Sequence, residues 1–163
     1  MFFGTNEDRK NRIQKMIDAK KAMLPCFPLV KKIIQDFDGK CYNCKLDKAI
    51  EEAAKAANMN IYAGVERNSI YIRAYYDHES KYLFYFHKDD LKEGKRIDAA
   101  KWFEYINAEY SRTQKEIYQM QNELLTIDDT MKQIEVLKKQ IETLVEPLSW
   151  EVRDTYNISR ITI

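Results

Sequence analysis

From Thr5 to Ala57 apolar positions recur at intervals of three and four, the spacing of a helix with one buried face. Thr5 followed by Asp8 reads as a helix entry, a capping residue with an acid three positions on. The segment to Leu24 then places Ile13, Met16, Ile17, Met23 and Leu24 on a narrow stripe among Lys and Arg. Pro25 is expected to end this helix and Pro28 to open the next at its first position. Leu29, Val30, Ile33, Ile34 and Phe37 give that second helix a stronger apolar face, and Gly39 closes it in the left-handed conformation. After Cys41-Tyr42-Asn43-Cys44 an Ala-rich helix is predicted over Leu46 to Ala57, with Leu46, Ile50, Ala53, Ala54 and Ala57 inward.

The period then changes to two. Asn60 to Glu66, Ser69 to Tyr76 and Lys81 to His87 are β-branched and aromatic runs separated by Arg67-Asn68 and by Asp77-His78-Glu79-Ser80. Links this short between alternating strands make an antiparallel meander. Ile61, Ala63, Val65, Ile70, Ile72, Ala74 and Tyr76 fall on one face, and Tyr62, Tyr71, Arg73 and Tyr75 on the other. The third strand, Tyr82-Leu83-Phe84-Tyr85-Phe86, is apolar on both sides, so both faces are expected to be covered at least in part.

Between Ile97 and Glu146 there is neither Gly nor Pro. Phe103, Ile106, Tyr110, Ile117, Met120, Leu124, Ile127, Met131 and Ile134 alternate at three and four, with Thr113 the one weak position, and after a slip of one the pattern resumes as Leu137, Ile141, Leu144, Leu148. This predicts a long, coiled-coil-like helix with a discontinuity. About 50 residues at 1.5 Å rise span roughly 75 Å, against about 40 Å for a compact globule of this length. The helix must project as an arm or bend back, Asp128-Asp129-Thr130 being the plausible break; an uninterrupted helix is the expectation. Pro147 ends it, and the tail from Ser149 alternates Trp150, Val152, Tyr156 and Ile158 in a way that suggests a fourth strand. The fold class is therefore α+β: N-terminal helices and a three- or four-stranded antiparallel sheet over 1–96, a long amphipathic helix over 97–148 and an extended tail over 149–163, together one folded unit.

Composition narrows the chemistry. The chain has 163 residues with 27 Lys or Arg against 26 Asp or Glu, a balance unsuited to blanketing polyanions. Residues 1–50 are mildly basic, holding 11 Lys or Arg against 6 Asp or Glu, while the remaining 113 hold 16 against 20. No apolar run reaches the roughly 18 residues of a membrane span, and the start MFFGTNEDRK lacks the order of a signal peptide. A cytoplasmic location with reduced thiols is the expectation for the three Cys. Four scattered Gly cannot build a phosphate-cradling loop, and two His, His78 and His87, leave little material for a His-centred triad or metal site. Cys41-x-x-Cys44 is half of a zinc spacing whose completion would need Cys26, His78 or His87, and the two His sit too far apart in sequence for that motif. Ordinary thiols, no metal, no cofactor and no catalytic role are expected. The pairs Glu51-Glu52 and Asp89-Asp90 point in different directions if helical and are read as solvated, as are Lys20-Lys21, Lys31-Lys32 and Lys138-Lys139.

Two surfaces remain. Tyr62, Tyr71, Arg73 and Tyr75 could stack unpaired bases; the favoured alternative is that the long helix packs over them, since Tyr offers a large apolar body with a polar tip. The order helix, three antiparallel strands, helix, with Lys95, Arg96 and Lys101 at the entry to the last helix, resembles that of double-stranded RNA-binding domains over some 65 residues. That resemblance implies a phosphate-gripping Lys cluster, but Asp89, Asp90, Glu93 and Asp98 interleave the cations, and the first strand pair has no long loop between its members. The second surface is the helical seam, Ile117, Met120, Leu124, Ile127, Met131 and Ile134, which must be covered by the N-terminal helices, a second copy or another protein. The leading expectation is a non-catalytic protein–protein interaction module, a homodimer through the helical arm. Small size, lack of motifs and a Lys-, Ile- and Asn-rich composition suit a phage or mobile-element accessory protein, for instance a stoichiometric inhibitor of a host defence nuclease. Nucleic-acid binding, through the aromatic sheet face or the basic N-terminal helices, is the alternative.

Overall fold

The computed structural model describes residues 5–87, 91, 94 and 96–145, with the side chain of Val145 excepted. Helix α1 spans Asn6–Met23, α2 Cys26–Asp36 and α3 Cys44–Ala56; strands β1 (Asn60–Glu66), β2 (Ser69–Tyr76) and β3 (Glu79–His87) follow, then α4 (Ala99–Val145). The chain is α+β, with a small antiparallel sheet and a long final helix.

Local chemistry explains most boundaries. Thr5 caps α1 in a reciprocal box: its hydroxyl accepts from the Asp8 N–H at 3.2 Å while the Asp8 carboxylate accepts from the Thr5 N–H at 2.9 Å. Pro25 sits at the boundary, but α2 begins at Cys26, so Pro28 lies in its first turn rather than at its first position. No amide there needs a partner within the helix, and proline is tolerated. Gly39 takes φ +69° beyond α2, and its N–H donates to the Ile97 carbonyl at 2.9 Å, tying this turn to the entry of α4. Helix α3 starts two residues earlier than its apolar pattern, because the Asn43 side chain accepts from the Lys45 N–H. Ala57, expected inward, is exposed just past its end.

The strands run in the order β1-β2-β3, antiparallel throughout. Two-residue turns join them; Asp77 and His78 both have positive φ, as a tight mirror-image turn requires. The β2–β3 register shifts between Ile72, opposite Phe84, and Arg73, opposite Tyr82, leaving Leu83 as the extra residue of a bulge.

One face of the sheet carries the core. Ile61, Ala63, Ile70, Ile72, Ala74, Leu83, Phe84 and Phe86 are buried with Phe27, Val30 and Ile34 of α2, Leu46, Ile50 and Ala54 of α3, and Trp102 and Ile106 of α4. Trp102 stacks on Phe84 at 4.4 Å. Val65 and Tyr76, assigned inward by alternation, lie at the sheet margins and are exposed.

Helix α4 runs unbroken for 47 residues, about 70 Å. Asp128 does not interrupt it but accepts an ion pair from Lys10 at 2.6 Å. Helix α1 returns antiparallel along it, Lys20 beside Glu116 and Arg9 beside Glu123. Ile13 and Ile17 form a second buried cluster with Ile117 and Ile127, flanked by Leu24, Met120, Leu124 and Met131. Thr113, weak in the apolar pattern, is fully buried because its hydroxyl donates to the Glu109 carbonyl within the helix. The tail assigned to an added strand, with Pro147 and Leu148, lies outside the described residues.

Candidate functional site: an open tyrosine face

The long helix does not cover the tyrosines. It crosses the opposite face of the sheet, where Trp102 and Ile106 join the core and Lys81 reaches Glu109 and Glu116 at 3.5 and 3.4 Å. The expectation that α4 packs over Tyr62, Tyr71, Arg73 and Tyr75 is corrected. The physical reason is that the Ile61, Ile72, Phe84 face offers a continuous aliphatic and aromatic surface, with no hydroxyl to satisfy.

Register builds the open face from rows of directly opposed residues, which share a side of the sheet. Tyr62, Arg73 and Tyr82 form one row, Gly64, Tyr71 and Tyr85 the next. Asn60, Tyr75 and Ser80 lie on one flank and Glu66, Ser69 and His87 on the other. The rings make a connected array, Tyr62 to Tyr71 at 5.8 Å, Tyr71 to Tyr82 at 6.3 Å and Tyr82 to Tyr85 at 5.3 Å. Gly64 leaves room beneath it, with Tyr62 lying across the glycine 3.5 Å from where a Cβ would stand. Tyr62 and Tyr85 remain half exposed, at 50% and 49%. The Tyr85 hydroxyl donates to the buried Ser69 hydroxyl at 3.1 Å, and partial burial followed by a bond with Tyr62 raises the pKa of Tyr71 above the ordinary value.

Arg73 sits at the centre. Its guanidinium lies 4.1 Å from the Tyr82 ring centroid and 6.0 Å from that of Tyr75, an Nη donates to the Tyr82 hydroxyl, and Nε is buried with no acceptor. Beside the face, a groove of about 370 Å³ runs along β3 between Tyr82 and Tyr85 and the Tyr105, Glu109 and Arg112 side chains of α4.

Tyr82 and Tyr85 escaped the alternation pattern. Being three apart, they should face opposite ways in a regular strand; the bulge at Leu83 turns both onto the same side. Among the described residues the helices cover the third strand on one face, where cover of both at least in part was expected.

The remaining candidates are placed elsewhere. Arg96 donates to the Gly39 carbonyl at 3.1 Å, and Lys101 lies in the first turn of α4, in the layer behind the sheet. Lys95 lies outside the described residues, as do Asp89, Asp90 and Glu93. The Asp38 and Asp98 carboxylates accept from the Ala99 and Lys101 amides, so acids near this helix entry serve as caps.

Of the seam residues, Ile117 and Ile127 are buried against α1, and Met120, Leu124 and Met131 pack around them. These five pack against the chain's own first helix, where a second copy of the chain was the leading expectation. Ile134 is half-buried and outside that cluster, on a stretch of α4 where Val136, Leu137 and Leu144 are exposed.

Cys41 and Cys44 are exposed, whereas Cys26 is buried and its thiol pKa is pushed up to about 11 by burial. Among the described residues no group of three or more His, Cys, Asp or Glu is placed to hold a metal ion. Glu51 spends its carboxylate on the outer edge of β1, accepting from the Ala63 N–H at 3.2 Å. Tyr42 donates to Asp47 at 2.5 Å; burial and then this bond raise the pKa of Tyr42, while burial raises that of Asp47 against the opposing effect of the same bond. No helix of the described residues is long and apolar enough to cross a membrane. No protein-family model matches the chain, and neither curated proteins nor solved structures give a significant match.

Proposed function

We infer that this chain is a non-catalytic protein-docking module whose working surface is the tyrosine face. One observation carries the reading: among the described residues the helices pack on the other side of the sheet, and Tyr62, Tyr71, Tyr75, Tyr82, Tyr85 and Arg73 join neither buried cluster. Tyr and Arg are the residues enriched at interface centres, because they bring large contact area with few rotatable bonds and a polar handle. A surface of Tyr, Ser and Asn with few charges has that composition. The α1–α4 pair gives it a stiff mount.

The test is an affinity pull-down of the tagged chain from a bacterial lysate, with and without nuclease, beside a Tyr62→Ala/Tyr85→Ala variant. A protein retained in both halves by the native chain and lost by the variant is the expected result. A complex of fixed stoichiometry with a defence nuclease, and inhibition without turnover, would match the narrower reading as a phage or mobile-element inhibitor.

Nucleic-acid binding is the second reading, favoured by the exposed Tyr62 and Tyr85 rings flanking Tyr71, which offer faces for base stacking. Recovery of nucleic acid, with proteins vanishing after nuclease, would establish it. Homodimerisation through the arm has less support. Among the described residues the seam beyond the α1 cluster, after Met131 and as far as Leu144, is about two heptads, short of the three or four that sustain a coiled coil. Sedimentation equilibrium decides between monomer and dimer.

A further inference from the structure

Among the described residues the tyrosine face carries one cation at its centre and no anion paired with it. Among the described residues Arg73 makes no ion pair, and on the strands of this face the sole carboxylate is Glu66, in the outermost row. Aromatic faces support its guanidinium, and its Nε is already sealed from water without an acceptor. Ring quadrupoles stabilise a cation but replace only part of its hydration. A partner that covers this face removes the rest of that water, and a charge buried without a counter-ion is strongly destabilising. The partner must therefore bring an anion to this point.

The charge pattern specifies the kind of anion. A nucleic-acid backbone needs cations spaced along its path. Residues 60–87 instead hold Arg67, Arg73 and Lys81 against Glu66, Asp77 and Glu79, and Lys81 is engaged with Glu109 and Glu116 on the far side of the sheet. One central cation ringed by Tyr, Ser and Asn matches one carboxylate ringed by planar and apolar groups.

We propose that the tyrosine face binds a protein segment that presents a single Asp or Glu carboxylate to Arg73, its neighbouring side chains lying on the tyrosine rings. This rests on the protein-docking reading and adds the chemistry of the partner to it.

The test is to pan a random dodecapeptide display library on the full chain and on Arg73→Glu. The native chain is expected to enrich peptides with Asp or Glu at one position, and Arg73→Glu peptides with Lys or Arg there. A synthetic copy of the best native binder should lose about thirtyfold in affinity on Arg73→Gln, keep most of it on Arg73→Lys, and lose binding to Tyr62→Ala/Tyr85→Ala. Its affinity should fall about threefold between about 50 and 200 mM salt, as one ion pair requires.

Peptides without acidic preference, bound equally by Arg73→Gln but lost by the tyrosine variant, would overturn the carboxylate pairing and leave protein docking standing. No enriched peptide, or binding indifferent to both sets of variants, would overturn both. An oligothymidylate probe held through the same residues, with affinity falling by orders of magnitude over that salt range, would make single-stranded nucleic acid the occupant and refute the proposal. The enrichment on the native chain stands or falls without any variant having to fold.

Discussion

The two faces of the one sheet obey opposite rules. On one, Ile61, Ile72, Phe84 and Phe86 are nearly inaccessible beneath the four helices; on the other, Tyr62 and Tyr85 keep half their surface in contact with solvent. Both faces are rich in large rings, so hydrophobicity alone does not separate them. What differs is the hydroxyl. Phe and Ile gain by leaving water completely, whereas a Tyr buried without a partner for its hydroxyl forfeits much of that gain. The face that could be dried at no polar cost became the core.

That contrast can be broken by mutation. Trp102→Ala, which removes the ring stacked on Phe84, should destabilise the chain by about 3–5 kcal/mol, read as a lowered midpoint in urea. A result near zero would mean that α4 is not seated on this face. Next in size, Ile127→Ala should cost about 2–3 kcal/mol, because Ile127 closes the cluster with Ile13 and Ile17. The same denaturation curve for Leu144→Ala, at 72% exposure on the arm, should overlay the native one. Equal effects would show that the arm is covered.

Tyr62→Ala and Tyr85→Ala should each shift stability by only about 0.5–1 kcal/mol, the scale of a surface ring contact, while removing partner binding. A large loss of stability would reassign the face to the core. A smaller effect than that of the tyrosines belongs to Glu116. Burial pushes its pKa up, but Lys20 and Lys81 outweigh that and hold it below the ordinary value of 4.5. Its contribution is thus fully present above about pH 4.5 and fades as pH falls through the lowered folded value. With a third of its side chain exposed, solvent screening keeps it to a fraction of a kcal/mol. Acid titration of Glu116→Gln, followed by circular dichroism, should show a slightly flatter acid limb.

Some features were legible because they are local. The Thr5–Asp8 box, the boundaries of β1 and β2 set by two-residue turns and the uninterrupted run of α4 depend on residues within a few positions of one another. The site was half legible: alternation placed Tyr62, Tyr71, Arg73 and Tyr75 together, but Tyr82 and Tyr85 joined them through a bulge that a strict period of two does not register. Periodicity likewise marked Ile117 to Met131 as an apolar seam, yet a stripe carries no record of what lies on it. That α1 rather than a second chain covers it follows from the reversal at Pro25 and α2, and from the matching of Lys10 and Lys20 to Asp128 and Glu116.

The sequence by itself determined which of the described segments are helix or strand and, along β1 and β2, which residues share a face, since both follow from short-range periods and turn chemistry. Only the tertiary structure decided which sheet face is buried and what stands against each apolar stripe. Those choices are made between distant surfaces competing for the same cover, and the outcome rests on the free energy of the whole packed set.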